Sequence, residues 1–188
     1  MATEQELSDF LISVEKRAFK RSLYHVRDEE AALDIVQDSM MKLCEHYSNK
    51  SVTELPLLFQ RILSNTTLDW FRRQKTKHAL FSNFNEFESD SQDPDFDFLE
   101  VNASSSGMAQ SDSAEYILSQ AQNVAEIEEE IKKLPARQRE AFLLRYWEEL
   151  DVSETAAAMG CSVGSVKTHC SRAIQALYSA LQAKGIQP

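Results

Sequence analysis

An all-α chain of two helical domains is what this sequence predicts, and three observations carry the prediction. Apolar residues recur at intervals of three and four through most of the chain, which is the spacing of a helix face and not of a strand. Glycine and proline are scarce, at four each in 188 residues. The helical pattern is broken once at length, by an acidic stretch over 78–112 that has no period. The chain therefore divides into 1–77, a flexible acidic linker over 78–112, and a C-terminal domain over 113–188 that ends in a helix-turn-helix.

Composition narrows the function. The chain is 43% hydrophobic and 27% charged, as one or two small soluble domains are. No stretch is apolar over the ~20 residues that a bilayer-spanning helix needs. The N-terminus, MATEQELSDF, has neither the basic region nor the apolar core of a signal peptide, so a cytoplasmic location is expected. The net charge of −10 argues against a general nucleic-acid coat, but the charges are segregated. Between Ala79 and Asp112 there are eight Asp or Glu and no Lys or Arg, while four of the six residues from Arg72 to Lys77 are basic. An acidic whole with basic patches fits a protein that binds DNA inside a larger assembly or at matched sites.

Covalent chemistry has no support. Cys44, Cys161 and Cys170 are widely spaced and form no metal-ligand pattern, so no metal or cofactor is expected. Cys44 and Cys170 fall on apolar stripes and read as buried thiols. His169 adjoins Cys170, but neighbouring helical residues point in different directions and cannot pair as base and nucleophile. The chain is not expected to be an enzyme.

The elements follow in order. A first helix runs from about Leu7 to Tyr24, with Leu7, Leu11, Val14, Ala18 and Arg21 or Ser22 on one face. Asp28 is a cap candidate for a second helix, whose first turn carries Glu29 and Glu30, suited to the positive end of the helix dipole. Its stripe steps through Leu33, Val36, Met40, Leu43 and Tyr47, and its other face shows Asp34, Gln37, Asp38 and Met41. That outer face is either simply solvated or a docking face for a basic partner. Pro56, tolerated in a first turn, opens a third helix marked by Leu58, Phe59, Ile62, Leu63, Thr66, Trp70 and Phe71. Arg61, Asn65, Asp69 and Arg72 or Arg73 form its opposite stripe. Basic residues interleaved with aromatics suit single-stranded DNA, since rings stack on unpaired bases and cations follow phosphate. Equally, Trp70 and Phe71 are candidates for the core.

After the linker, which holds Phe81, Phe84, Phe87, Phe96 and Phe98, a helix is expected over 114–133 with Ile117, Ala121, Val124, Ile127 or Glu128 and Ile131 inward. Pro135 starts the next helix, on which Ala141, Leu144 and Tyr146–Trp147 are apolar. Its Arg137, Arg139 and Arg145 either contact phosphate or are solvated. Ser153 is a plausible N-cap for a short helix over Glu154–Met159, and Gly160 ends it because glycine takes the left-handed conformation without steric cost. Ser162 caps the last helix. There Val163, Val166, Cys170, Ala173 or Ile174, Leu177 and Leu181 form a buried stripe, and Lys167, Thr168, Ser171, Arg172 and Gln175 lie opposite. A short helix, a glycine turn and a second helix with a polar, basic face is the layout of a helix-turn-helix, whose second helix enters the DNA major groove.

The block LPARQREAFLLRYWEELDVSETAAAMGCSVGSVKTHCSRA, from Leu134 to Ala173, closely resembles region 4 of bacterial sigma factors of the extracytoplasmic-function (ECF) group of the sigma-70 family. Leu134-Pro135, Arg137 to Glu140 and Ser162 to Lys167 carry the likeness. Two further blocks resemble region 2 of the same family: Asp34-Ile-Val-Gln-Asp38, and the run from Phe59 to Arg73. The resemblance covers about two thirds of the chain and implies specific roles. Asp34, Gln37 and Asp38 would dock on the β′ clamp of core RNA polymerase, and region 4 on the β flap. Asn65 and Asp69 would face bases of the −10 element. Arg61, Arg72, Arg73, Lys75 and Lys77 would hold its backbone, with Trp70 beside them. Lys167, Thr168, Ser171 and Arg172 would read the −35 element of promoter DNA. The linker would thread through polymerase channels, and an anti-sigma factor is an expected partner. Two rival readings are a dimeric helix-turn-helix regulator that binds a symmetric duplex unaided, and an interaction protein whose helix-turn-helix is vestigial.

Overall fold

The computed structural model describes residues 3–47, 49–81 and 114–186, and every regular element among them is helical. Helices α1 (Glu4–Val26), α2 (Glu29–Tyr47) and α3 (Leu55–Phe81) form an N-terminal body. Helices α4 (Ala114–Lys133), α5 (Ala136–Phe142), α6 (Val152–Met159) and α7 (Val163–Ala183) form a C-terminal body. Helix α5 runs on through a π-helical turn, Leu143–Trp147. Helix α3 continues past residue 77 to Phe81, and the rest of the acidic segment lies outside the described residues. Among the described residues no helix is long and apolar enough to cross a membrane.

Local sequence fixes the helix ends. Thr3 accepts from the Glu6 amide while the Glu6 carboxylate reaches back to Thr3, a capping box that satisfies two amides left open at the start of α1. Asp28 does part of this for α2, its carboxylate accepting from the Ala31 amide at 2.7 Å. Asp151, and not Ser153, caps α6: its side chain takes the Glu154 amide at 2.8 Å, and Glu154 returns the bond to the Asp151 amide at 2.9 Å. The sequence signal for this was present, since Asp151 and Glu154 have capping-box spacing. Gly160 ends α6 at φ 63°, and Ser162 caps α7 through the Ser165 amide.

Each body has an apolar core. In the N-terminal body Ala18, Ile35, Val36, Leu43, Leu55, Phe59 and Leu63 are buried together, with Phe10 set edge-on to Phe59 at 5.9 Å. The inward stripe of α2 is Ala32, Ile35, Val36, Ser39 and Leu43; the expected stripe member Leu33 is 43% exposed. In the C-terminal body α5, α6 and α7 meet at Ala141, Leu144, Ala156, Ala158, Met159, Val166 and Cys170. The alternative left open in α7 resolves to Ala173, which is buried while Ile174 is exposed, as are Val163 and Val124. Tyr146, expected inward, is 51% exposed, because the π turn shifts the face that follows Leu144.

The two bodies meet along a seam of different character. Helix α1 packs on α4, and α3 packs on α6. Arg21 is buried at the centre and donates to Gln60, to Ser64 and, across the seam, to Glu140. His25 Nε2 lies 2.5 Å from the other Glu140 oxygen. Gln60 also donates to Glu148 at 3.0 Å. Around this centre Lys20 pairs with Glu128 at 2.6 Å, and the Arg27 guanidinium bonds to the Lys132 carbonyl. Tyr24 enters the apolar cluster of Ile131, Leu134, Leu143, Ala173 and Leu177. Trp147, on the π turn, stands edge-on to Tyr24 at 6.3 Å and under the cations of Arg17 and Lys20.

Candidate nucleic-acid interface

Three surface features collect the candidate binding residues. The first is the outer stripe of α3. Burying Phe59 and Leu63 inward turns Arg61, Asn65, Arg72, Arg73 and Lys75 to solvent, where all five are exposed. Asp69 is half-buried and pairs with Arg72 at 3.0 Å, which ties up one basic group and offsets the repulsion its carboxylate would exert on phosphate. Trp70 is half-buried against the N-terminal core, its ring edge-on to Phe71 at 5.0 Å. Its indole is thus partly committed to packing. The side chain of Lys77 lies outside the described residues.

The second feature is the exposed face of α7. Ser162 fixes the helix start, with its hydroxyl 3.1 Å from the Ser165 amide, and Val166 and Cys170 anchor the inner face. Lys167 is left exposed, with Thr168, Ser171 and Arg172 half-buried on the same side. Thr168 donates to the Gly164 carbonyl at 3.1 Å. A narrow helix face of one Lys, one Arg and two hydroxyls suits the major groove, where cations reach guanine edges and short side chains allow close approach.

The third is the α2 surface. Asp34, Gln37 and Asp38 are all exposed, flanked by Leu33 and by Met41 at 58% exposure. Carboxylates bordered by uncovered apolar side chains make a more specific face than a solvated charge run, since neither Leu33 nor Met41 gains anything from water.

The arginines of α5 behave otherwise than a phosphate-binding row. Arg139 is buried and holds the carbonyls of Ile131, Lys132 and Leu134 and, across the seam, that of His25. Its burial, together with Arg27 nearby, lowers its pKa to about 10. Arg139 therefore closes the open carbonyl end of α4 and is shielded from any phosphate. Arg145 bonds to the Leu150 carbonyl, and Arg137 reaches the Met159 carbonyl at 3.3 Å. Sequence reading also passed over Glu140. Burial alone would raise its pKa, but the Arg21 guanidinium and His25 beside it hold it well below the usual carboxylate range.

The cysteines are packing groups. Cys170 is buried and Cys161 and Cys44 are half-buried. Burial pushes the Cys170 thiol up to about 11 and raises that of Cys161 as well. Both carry little thiolate near neutral pH, which makes them poor redox sensors.

Known proteins resemble this chain over its C-terminal part and, more distantly, over most of its length. Residues 125–177, which include all of α5, α6 and most of α7, match the model of the family described as "Sigma-70, region 4". The RNA polymerase sigma-E factor of Streptomyces coelicolor is 41% identical over 56 residues, a match covering 30% of this chain and 32% of that protein. The RNA polymerase sigma factor SigV of Bacillus subtilis is 24% identical over 166 residues, covering 87% of this chain and 84% of that one. Among solved structures, the sigma factor RpoE of Bartonella quintana, crystallised in complex with the anti-sigma factor NepR, superposes with a TM-score of 0.63 at 21% identity. That match covers 93% of this chain and 96% of the other and establishes a shared fold. The chain thus carries a match to sigma-70 region 4 over residues 125–177, and over most of its length it is similar in sequence to one sigma factor and in fold to another, while it spans about a third of the length of the sigma-E factors it matches.

Proposed function

We propose that this chain is a sigma factor: it binds core RNA polymerase and directs it to promoters by reading a −35 element and opening and holding a −10 element. The observation that supports the reading is the presence, on one chain, of two separate faces that gather basic and polar side chains, on α3 and α7, and a third, acidic face with uncovered apolar residues on α2. Residues 1–77 form the polymerase-docking and −10 domain, residues 113–188 the −35 domain, and the segment between them the tether. Asp34, Gln37 and Asp38 dock on the β′ clamp. Arg61, Arg72, Arg73 and Lys75 hold the displaced strand, Asn65 and Asp69 face its bases, and Trp70 stacks at its edge. Lys167, Thr168, Ser171 and Arg172 enter the −35 major groove.

The physical division of labour follows from the residue types. A carboxylate pair with a Gln offers acceptors to a basic helix of a partner, and Leu33 and Met41 add apolar area. A guanidinium row follows phosphate without reading sequence, whereas the α7 face makes hydrogen bonds that do. With a net charge of −10, the chain approaches phosphate poorly on its own, and polymerase supplies the missing attraction. The chain does no covalent chemistry in this scheme. It acts in the cytoplasm, where the polymerase is, and an anti-sigma factor is a fitting regulator.

Gel filtration of the chain with purified core polymerase tests the docking step. The two should co-elute, and Asp38→Arg should abolish co-elution while leaving the helical signal intact. Separate elution of the wild-type chain, together with dimeric binding to a palindromic duplex, would replace this reading with that of an ordinary regulator.

A further inference from the structure

The side chains proposed to read the −35 element stand on α7, but α7 is placed by α6, and α6 has little of its own to hold it. It is 8 residues long, short of the ~12–15 at which an isolated helix begins to be stable. Of its buried apolar side chains only Met159 is large; Ala156 and Ala158 offer shallow ridges to α5 and α7. Apolar contact of this kind is not directional. Hydrogen bonds are, and they are what can fix the tilt of α6 so that α7 meets a duplex at one angle.

Arg137 and Arg145 make such bonds from α5 and the π turn that extends it. Arg145 donates to the Leu150 carbonyl, immediately before the Asp151 cap of α6. Arg137 donates to the carbonyl of Met159, the last residue of α6, at 3.3 Å. The two arginines are eight positions apart, about 12 Å along a helix at ~1.5 Å per residue, and α6 has the same length. One therefore grips each end of α6. The Met159 carbonyl is among the last four of its helix, which have no partner inside it. The amides of the turn do not take it, since Gly160 and Cys161 both donate to the Ala156 carbonyl. Arg137 also stands near the Cys161 thiol in the turn and Arg145 near Cys170 on α7, where each charge counters the rise that burial imposes on the thiol.

We propose that Arg137 and Arg145 are positioning residues for −35 reading: they clamp α6 at both ends and so set the angle at which α7 enters the major groove. The clamp rests on the sigma-factor reading for its duplex. It gives the two arginines a part that is neither phosphate contact nor solvation. Groups that recognise a ligand have to be held to within about 0.5 Å. Gly160, Cys161 and Ser162 join α6 to α7 directly, so a tilt of α6 carries Lys167, Thr168, Ser171 and Arg172 with it.

Polymerase reconstituted with the full chain tests the clamp on promoter fragments recovered by run-off transcription, with the −35 element intact or scrambled, over a series of salt concentrations. Arg137→Met and Arg145→Met keep the alkyl stem and remove the donor. Each should lower the preference for the intact element roughly five- to tenfold, near the low end of what one bidentate base contact is worth, with the salt dependence unchanged. Arg137→Lys, which keeps a donor, should regain most of the preference. If the slope of log affinity against log salt falls in magnitude by about 0.9, the arginine is a phosphate contact and the clamp is overturned. Equal loss on both fragments would overturn it too, since that is only a loss of folded protein, and so would no loss on either. Hydrogen exchange in the chain alone reads the grip without polymerase. Amides from Gly160 to Ser165 should exchange roughly tenfold faster in both Met variants, as the loss of one hydrogen bond implies, while those of Phe59 and Leu63 keep their rates. Unchanged exchange would overturn the clamp. Faster exchange, with a wild-type complex that shows no −35 preference, would keep the grip but sink the sigma-factor reading and the −35 role with it.

Discussion

The core beneath α2 and α3 and the seam between α1 and α5 are equally buried and differ in almost everything else. In the core, Leu43, Leu55, Phe59 and Leu63 are sealed among other apolar groups, and each full burial contributes about 1.5–3 kcal/mol. In the seam, Arg21 and Glu140 are as deeply hidden, yet their attraction is largely offset by lost hydration. The core makes each body exist; the seam decides how the bodies stand. Burial alone therefore says little about what a contact is for, and the chemistry of the buried atoms says most of it.

The sharpest way to break this contrast is to damage the core. Phe59→Ala removes a fully buried ring that Phe10 packs against, and should cost about 3–5 kcal/mol in thermal or denaturant unfolding. Helicity should be lost along with compactness. A loss below ~1 kcal/mol would mean that the N-terminal body does not rest on this core.

Acid should act on the seam next. His25 is buried against Glu140, Arg21 and Arg139, and burial, aided by the two guanidinium groups and opposed by Glu140, lowers its pKa below the ordinary 6.5. A base whose folded pKa is lowered binds its proton more readily when unfolded or exposed, so stability should fall as pH drops below about 6.5. Glu140, also lowered, adds a loss in the same direction at pH values below 4.5. Thermal melts at pH 7.5 and 5.5 should show weakening at the lower pH. His25→Gln, which keeps a donor and does not titrate, should flatten the difference. An equal acid response in that variant would remove His25 from the account.

A smaller effect is expected at the helix-turn-helix. Gly160 sits at φ 63° with open space where a Cβ would be, so Gly160→Ala meets no clash and only the backbone strain of a left-handed alanine, about 1 kcal/mol. The melting temperature of the C-terminal body should fall slightly and duplex binding should survive. The smallest effect belongs to exposed pairs such as Lys132–Glu129, where Lys132→Ala should change stability by less than about 0.5 kcal/mol.

The contrast between core and seam also explains which parts of the molecule could be read in advance. Periodic apolar residues and caps act locally, so α3, its Arg61–Asn65 stripe, the Gly160 turn and the Ser162 cap are all legible. Candidate site residues could be placed on outer faces because they share a stripe at intervals of four opposite plainly apolar stripes. The misses have physical causes. Leu33 lies at the edge of its stripe, where a turn of 100° per residue leaves the choice of face to tertiary packing, as it does between Ala173 and Ile174. Tyr146 was displaced by a π turn that no local pattern announces. Arg139, left between phosphate contact and solvation, and Glu140, passed over, have partners that are brought together from α1, α3 and α4, far away in sequence. One clue was available: Arg21 falls in register with Leu7, Leu11, Val14 and Ala18, and a charge on an apolar stripe asks for a buried partner.

The central claim is that the two DNA faces and the acidic α2 face serve one act, promoter-specific initiation by polymerase. Run-off transcription with purified core polymerase on a genomic fragment library, with and without this chain, tests it most directly. The account predicts new discrete start sites that appear only with the chain and disappear with Asp38→Arg and with Arg172→Ala. An absence of new starts, with tight and symmetric duplex binding by the chain alone, would contradict it.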